Sequence, residues 1–247
     1  MNLGGALMLK LANRLCLVFA LLLLGCTQRE TPAPRSETVD PSPAAVEETA
    51  AEKTSTDAQL PASLPDAQAI PGERVGPITA ETTYEDLVAR FGEDRLQTED
   101  VHVGEGFTQP GTRVDLGDKY SFSILWRDRD RTAIEEVRNF GTAWKTPEGI
   151  GIGTSFSELQ EILGPFQLYG FAWDYEGTLS LKDTQLTQYD SLLFLRARPE
   201  ESTVEQLPND YQAVMGDGRF PSTNPHMEAL SPRIYEMIVR FTPFTVE

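Results

Sequence analysis

The stretch Thr82-Thr83-Tyr84-Glu85-Asp86-Leu87-Val88-Ala89-Arg90-Phe91-Gly92 is matched in pattern, 72 positions later, by Thr154-Ser155-Phe156-Ser157-Glu158-Leu159-Gln160-Glu161-Ile162-Leu163-Gly164. Each contains a hydroxyl residue followed three positions later by an acid, Thr83 with Asp86 and Ser155 with Glu158, which is the sequence signature of a capping box at a helix N-terminus. Each ends at a glycine, where a left-handed C-terminal cap is expected. The two stretches therefore predict two short capped helices.

Both predicted helices carry an apolar stripe. In the first, Tyr84, Leu87, Val88 and Phe91 fall at i, i+3, i+4 and i+7, and in the second the stripe is repeated by Phe156, Leu159 and Leu163. Isolated helices shorter than about 12 residues are marginally stable in water. Each helix is therefore expected to lay its apolar face on a sheet.

Segments that favour β-structure follow each helix. They are 99–107, 120–126 and 133–140 after the first helix, and 167–175, 179–182, 191–198 and 233–241 after the second. The charged run 128–131 indicates a hairpin turn, and the proline-containing segment 199–232 a surface loop. The expected fold class is α+β, a tandem repeat in which each unit, 73–145 and 146–247, packs a short helix on an antiparallel β-meander.

The second unit carries a family resemblance. The residues concerned are Ile152-Gly153-Thr154-Ser155, Glu158-Leu159, Ile162-Leu163-Gly164-Pro165 and Trp173-Asp174-Tyr175. They resemble the Gly-x-Ser/Thr helix, Leu-Gly-x-Pro turn and Trp-x-Tyr strand of small outer-membrane lipoproteins of the BamE (SmpA/OmlA) type. The tandem layout is similar to that of the β-lactamase inhibitor protein. The resemblance implies a fold more than an activity.

The N-terminal segment has the order of a secretory signal. Lys10 and Arg14 precede the apolar run 15–24, and no acidic residue occurs before Glu30. The run is about half of the roughly 20 apolar residues that a membrane-spanning helix needs. A cationic start followed by a short apolar run and a small residue is typical of a cleaved signal peptide. We therefore expect a signal peptide at residues 1–25.

The four residues that close this run, Leu23-Leu24-Gly25-Cys26, resemble the lipobox of bacterial lipoproteins. The resemblance implies cleavage between Gly25 and Cys26, lipidation of Cys26 and attachment to a membrane outside the cytoplasm. Thr27 stands where an Asp would be the usual signal for inner-membrane retention, so the resemblance favours the outer membrane, facing the periplasm. No cofactor is expected besides the covalent lipid on Cys26.

Residues 26–72 are expected to form a lipidated, disordered tether. The segment is rich in Pro, Ala, Glu, Thr and Ser, and no aromatic residue occurs between Phe19 and Tyr84, so it cannot build a core. The whole chain has 38 acidic and 21 basic residues and a formal net charge of −17. This charge disfavours nucleic acid and bare anionic phospholipid as partners.

No motif predicts catalysis or metal binding. His102 and His226 lie far apart in the sequence and lack metal-ligand spacing, and Asp128 and Asp130 lack the glycine and terminal Glu of a calcium loop. The glycine run 149–153 has no P-loop lysine, and Gly76-Pro77-Ile78-Thr79 stands in the matching place before the first helix, so the run indicates strand-entry geometry rather than a phosphate cradle. Catalytic, cofactor and metal residues are all expected to be absent.

The aromatic run 169–175 is the one candidate binding feature. If it is a strand, Tyr169, Phe171, Trp173 and Tyr175 share one face. Those rings then either form core beneath the helices or provide an exposed platform for a glycan, a peptide or a protein partner.

Three hypotheses of function follow from this sequence. The first is a non-enzymatic envelope lipoprotein that binds or scaffolds envelope proteins. The second is an inhibitor-like module that docks on a secreted or periplasmic enzyme, and the third is an enzyme acting on cell wall or glycan.

Overall fold

The computed structural model describes residues 66–104 and 106–243. Their fold is α+β, with mostly antiparallel sheets and short helices, which confirms the α+β part of the prediction. No helix in this part of the chain is long and apolar enough to cross a membrane. The predicted signal peptide, Cys26 and the predicted tether up to residue 65 lie outside the described residues.

The elements are numbered along the chain. The strands are β1 (Ala69–Ile70), β2 (Arg74–Val75), β3 (Leu96–Gly104), β4 (Phe107–Val114), β5 (Phe122–Trp126), β6 (Ile134–Arg138), β7 (Gln167–Tyr169), β8 (Leu179–Ser180), β9 (Leu193–Arg198), β10 (Arg219–Pro221) and β11 (Arg233–Arg240). The helices are α1 (Tyr84–Phe91), α2 (Phe156–Leu163), α3 (Glu201–Gln206), α4 (Pro208–Ala213) and α5 (Pro225–Leu230).

Helices α1 and α2 are the two predicted helices, and both capping boxes are formed. The Asp86 carboxylate accepts from Thr83 N at 3.0 Å, and the Glu158 carboxylate accepts from Ser155 N at 2.7 Å. These hydrogen bonds lower the pKa of both carboxyls. Gly92 and Gly164 end the helices with φ of 87° and 70°, but their ψ of 144° and −155° lies outside the left-handed helical region that we predicted.

The main sheet has six antiparallel strands in the order β3-β4-β5-β6-β11-β9. Alternate residues of β5, β6, β11 and β9, Ile124, Val137, Met237 and Leu195 among them, are fully buried in one core. Helices α1 and α2 contribute Leu87, and Phe156 with Leu159, to the same core. Because side chains alternate along a strand, the intervening residues belong to the opposite face of the sheet.

The strands predicted after α2 do not form one meander. β9 and β11 join the main sheet, where β11 pairs with β6 through Val239 and Val137, whereas β7 and β8 form a small sheet with β10. The predicted units 73–145 and 146–247 therefore share the main sheet.

The segment 199–232, predicted as a surface loop, contains α3, α4, β10 and α5. Pro208 and Pro225 each occupy the first turn of a helix, where the missing N–H costs nothing. Met227 and Leu230 of α5 are buried in the core. Prolines that start helices were thus mistaken for loop residues.

Strand β4, which contains Pro110 and Gly111, was not predicted. Pro110 pairs with Asp100 of β3, and the pairing of β4 with β5 begins only at Gly111. At Pro110 the strand therefore has a partner on one side alone, which is where a sheet tolerates proline. The predicted strand 99–107 is replaced by the β3–β4 hairpin.

Residues 66–72, which were predicted as the end of the tether, belong to the folded part of the protein. Ala69 of β1 is fully buried, and its N–H donates to Lys145 O at 2.8 Å.

Candidate functional site: a charge-lined cleft on the main sheet

A cleft of about 650 Å³ lies on the face of the main sheet opposite the helices. Its floor is formed by β5, β6, β11 and β9. One wall is the β3–β4 hairpin, and the other is the loop 170–177 that follows β7. The volume falls in the range of about 300–1,000 Å³ that is usual for small-molecule sites.

Side chains alternate between the two faces of the sheet, and those on the face away from the core form the floor of the cleft. Leu125 and Glu136 are cross-strand partners on β5 and β6, and Ile238 and Phe194 are partners on β11 and β9. All four line the cleft. Apolar side chains and charged side chains therefore share this face.

Six charged residues of the floor form one continuous network, which we call the charge ladder. In order of contact they are Glu135, Arg240, Glu136, Arg138, Glu236 and Arg196. The successive N···O distances are 2.8, 3.0, 3.2, 2.6 and 3.3 Å. Three carboxylates and three guanidinium groups thus neutralise one another across β6, β11 and β9.

The centre of the charge ladder is buried. Arg138 and Glu136 are 6% and 7% exposed. Burial raises the pKa of Glu136, and the neighbouring Arg138 and Arg240 oppose that rise. Both carboxylate oxygens of Glu136 and of Glu236 accept from arginine. Because these oxygens are already engaged, the geometry suits a structural floor better than an acid–base pair.

Arg196, the last residue of the charge ladder, also holds the loop 170–177 in position. Arg196 Nη2 donates to Asp174 O at 2.8 Å and Arg196 Nε donates to Glu176 O at 3.0 Å. Gly177 then closes the loop against β9, where its O accepts from Ala197 N at 2.9 Å. A Cβ on Gly177 would lie 1.7 Å from Ala197 O, so only glycine permits this approach.

Tyr175 stands on this wall with support behind it. Its ring lies 5.4 Å from the Tyr169 ring, and the Arg219 guanidinium lies 4.8 Å from the Tyr169 ring centre. Arg219 also donates to Tyr169 OH at 2.6 Å. Tyr175 is 55% exposed and lines the cleft. The wall therefore presents a tyrosine ring held in place by a second tyrosine and an arginine.

The opposite wall is the part of the β3–β4 hairpin that extends past β5. Phe107 at the start of β4 is 67% exposed and lines the cleft, with Val103 and Gln109 beside it. Two exposed aromatic rings, Phe107 and Tyr175, thus border the cleft on opposite sides.

The two walls also carry polar side chains that are not engaged elsewhere, which we call the polar rim. His102, Gln109, Asp174 and Thr178 line the cleft, and within the described residues their side chains make no hydrogen bond to another part of the chain. Imidazole, amide, carboxylate and hydroxyl groups together offer both donors and acceptors to a ligand.

The predicted aromatic platform is divided by the structure. β7 ends at Tyr169 and residues 174–177 form turns, so the four rings do not share one strand face as we predicted. Phe171 is fully buried and stacks on Tyr211, whereas Trp173 is 59% exposed and does not line the cleft. Tyr169 and Tyr175 form the wall.

The other predicted candidates lie apart. His102 lines the cleft, while His226 on α5 contacts Asp210 of α4 at 2.8 Å. Asp128 accepts from Thr132 N at 3.1 Å within the predicted turn, which lowers its pKa. In the described part of the chain no three His, Cys, Asp or Glu side chains are grouped to hold a metal ion.

The glycine run before α2 makes tight backbone contacts. Gly151 N donates to Thr154 Oγ1 at 3.0 Å, and Gly153 N donates to Ile234 O at 2.8 Å. The amide groups of these two glycines are therefore engaged within the protein.

The charge ladder was not predicted from the sequence. Its sequence signal is an acid and an arginine two positions apart on one strand, as in Glu136 and Arg138, because that spacing places both on one face. The partners on β9 and β11 are known only once the strand order is known.

Comparison with known proteins gives no function. No family model matches the chain, and no curated protein matches it. Among solved structures, the chain is similar to the uncharacterized protein yfeY from Escherichia coli, with 16% sequence identity and a TM-score of 0.38. That match covers 70% of this chain and 99% of yfeY.

Proposed function

We propose that this protein is an outer-membrane lipoprotein, anchored through Cys26 and facing the periplasm, whose folded part is a non-enzymatic binding module. The observation that carries the proposal is the cleft, which is lined by two exposed aromatic rings, Phe107 and Tyr175, and has a floor whose charges are already paired. Exposed aromatic residues around a concave, partly apolar surface are typical of binding sites.

The lipid anchor rests on the sequence of the leader. Each methylene of an acyl chain that enters the membrane contributes about 0.8 kcal/mol, so two or three chains attach a protein stably. Replacing Cys26 by Ser is expected to release the protein from the membrane fraction and to abolish incorporation of labelled palmitate. Unchanged fractionation of C26S would refute the anchor.

The tandem-repeat interpretation is also part of this proposal. It is supported by the equivalent capping boxes of α1 and α2 and by the burial of both helices in one core. In this interpretation each repeat unit, 73–145 and 146–247, contributes one helix and several antiparallel strands. Strands of the two units pair with one another in the main sheet.

Binding through the cleft is tested by crosslinking in intact cell envelopes. A photo-reactive amino acid placed at Tyr175 is expected to capture a specific envelope component. The same group placed at Tyr84 on α1, on the other side of the sheet, is the control. Specific capture from position 84 alone would refute the cleft as the binding surface.

The enzyme alternative predicts a different result. Purified cell wall incubated with the protein would be turned over, and the turnover would be lost in the Glu135→Gln or Asp174→Asn variant. We expect no such turnover. Inhibition of a secreted enzyme without stable assembly would favour the inhibitor-like module.

A further inference from the structure

The charge ladder limits which ligand the cleft can accept. Every arginine of the ladder contacts at least one of its carboxylates, and the two central carboxylates contact arginine through both oxygens. A charged ligand group that reached the floor would have to displace a partly buried ion pair and leave its partner without compensation. The floor therefore selects against ligands with charged groups, although it is lined by charged residues.

The walls favour a ligand with flat apolar faces. The Tyr175 ring is held from behind by Tyr169, and Arg219 in turn lies over Tyr169. Phe107 faces the cleft from the other side and is the most exposed of the large apolar residues that the structure describes. A rigid aromatic ring loses little conformational entropy when a ligand face packs on it.

The rim adds hydrogen bonds that a hydroxyl-rich ligand can use. His102 and Gln109 lie on the β3–β4 hairpin, and Asp174 and Thr178 lie on the loop 170–177 and directly after it. A hydroxyl group is both donor and acceptor, so it can pair with any of these four side chains. A ligand whose hydroxyls lie at the edge of an apolar ring face matches both walls and rim at once.

An extended peptide matches the cleft less well. The cleft lies over the face of the main sheet, where the backbone groups of β6, β11 and β9 pair with neighbouring strands. A peptide bound there would bring its own N–H and C=O groups without backbone partners, and leaving such groups unpaired is unfavourable. Peptides that bind sheets usually do so at an edge strand.

From these observations we propose that the cleft binds an uncharged oligosaccharide, with sugar ring faces on Tyr175 and Phe107 and hydroxyls on the polar rim. This rests on the proposed function, because it names the ligand of the same cleft. It excludes polyanionic and polycationic glycans as preferred ligands.

Isothermal titration calorimetry of the detergent-purified full-length protein tests the proposal. The neutral probes are maltotetraose, cellotetraose and chitotetraose, and the contrasting probes are tetragalacturonate, the chitosan tetramer and an N-acetylated tetra-alanine amide. At least one neutral probe is expected to bind with a Kd of about 1 mM or tighter, and more tightly than every contrasting probe.

Matched variants locate the binding. Tyr175→Ala and Phe107→Ala are each expected to weaken binding of the neutral probe by about tenfold, as is usual for aromatic anchor residues. Trp173→Ala is the control. It removes a ring two positions from Tyr175 that is about as exposed as Tyr175 but does not line the cleft, and it is expected to change the Kd of the neutral probe by no more than about twofold. All three changed side chains are more than half exposed, so the melting temperatures should agree.

The proposal is overturned if no neutral probe binds at about 10 mM, if a charged or peptide probe binds more tightly, or if Trp173→Ala weakens binding as much as Tyr175→Ala. A protein captured by crosslinking at Tyr175, together with no saccharide binding, would overturn the saccharide ligand and leave the binding module standing. Specific crosslinks from position 84 alone would refute the cleft itself.

Discussion

Phe171 holds the loop that forms one wall of the cleft. Its ring is fully buried and stacks on Tyr211 with centroids 5.7 Å apart and planes within 1° of parallel. Its backbone N–H donates to Val214 O, and its O accepts from Gly216 N. Tyr175 therefore owes its position both to Arg196 on the sheet side and to Phe171 on the helix side.

Replacing Phe171 by Ala is expected to lower the free energy of unfolding by about 3–5 kcal/mol, because a large cavity is left in the core. Urea denaturation followed by circular dichroism measures the change. Trp173→Ala is the control, since this exposed ring is expected to change stability by no more than about 0.5 kcal/mol. Equal losses in both variants would contradict the assignment of Phe171 to the core and Trp173 to the surface.

At the level of elements, the charge ladder couples three strands of the main sheet. Arg240 is the cross-strand partner of Glu136, and Arg196 is the cross-strand partner of Glu236. Arg138 then joins the two pairs, since its guanidinium contacts both carboxylates. Strands β6, β11 and β9 are thus linked by side chains as well as by backbone hydrogen bonds.

Replacing Arg138 by Met is expected to lower the free energy of unfolding by about 3–5 kcal/mol, because it removes one partner from each of two carboxylates in a partly buried network. The triple variant Arg138→Met, Glu136→Leu, Glu236→Leu removes those carboxylates as well and is expected to recover part of the loss. Chemical denaturation of the three proteins, wild type included, gives the comparison. A loss below about 1 kcal/mol for R138M would contradict this prediction, because losses that small are typical of solvent-exposed ion pairs.

Local sequence predicted the helices better than the sheets. Thr83 with Asp86, and Ser155 with Glu158, specify a helix start within four residues, and both starts are formed. The sheet to which a strand belongs depends on distant partners, as with β11, which joins β6 through residues about 100 positions apart. The charge ladder could not be predicted for the same reason. Pro110 disfavours a strand assignment for β4, because proline is tolerated only where one side of a strand has no partner.

At the scale of the whole molecule, residues 67–72 are joined to the rest of the fold by backbone hydrogen bonds. Lys145 N donates to Ala67 O at 3.1 Å, Gly76 N donates to Gln68 O at 2.7 Å, and Gly72 N donates to Arg240 O at 2.9 Å. Composition marked this stretch as tether, since it has no aromatic residue and contains Pro71. Its order comes from backbone hydrogen bonds and from the small side chain of Ala69, which composition does not reveal.

A chain that starts at Asp66 is therefore expected to unfold at the same urea concentration as a chain that starts at Thr27. A chain that starts at Glu73, the boundary that composition suggested, loses β1 and the backbone hydrogen bonds from Lys145 N to Ala67 O, from Gly76 N to Gln68 O and from Gly72 N to Arg240 O. Each lost hydrogen bond contributes about 1 kcal/mol, and the freed chain entropy returns part of it, so a net loss of about 2 kcal/mol is expected. Equal denaturation midpoints for the Asp66 and Glu73 chains would show that β1 is dispensable, whereas a lower midpoint for the Asp66 chain than for the Thr27 chain would extend the folded part further towards Cys26.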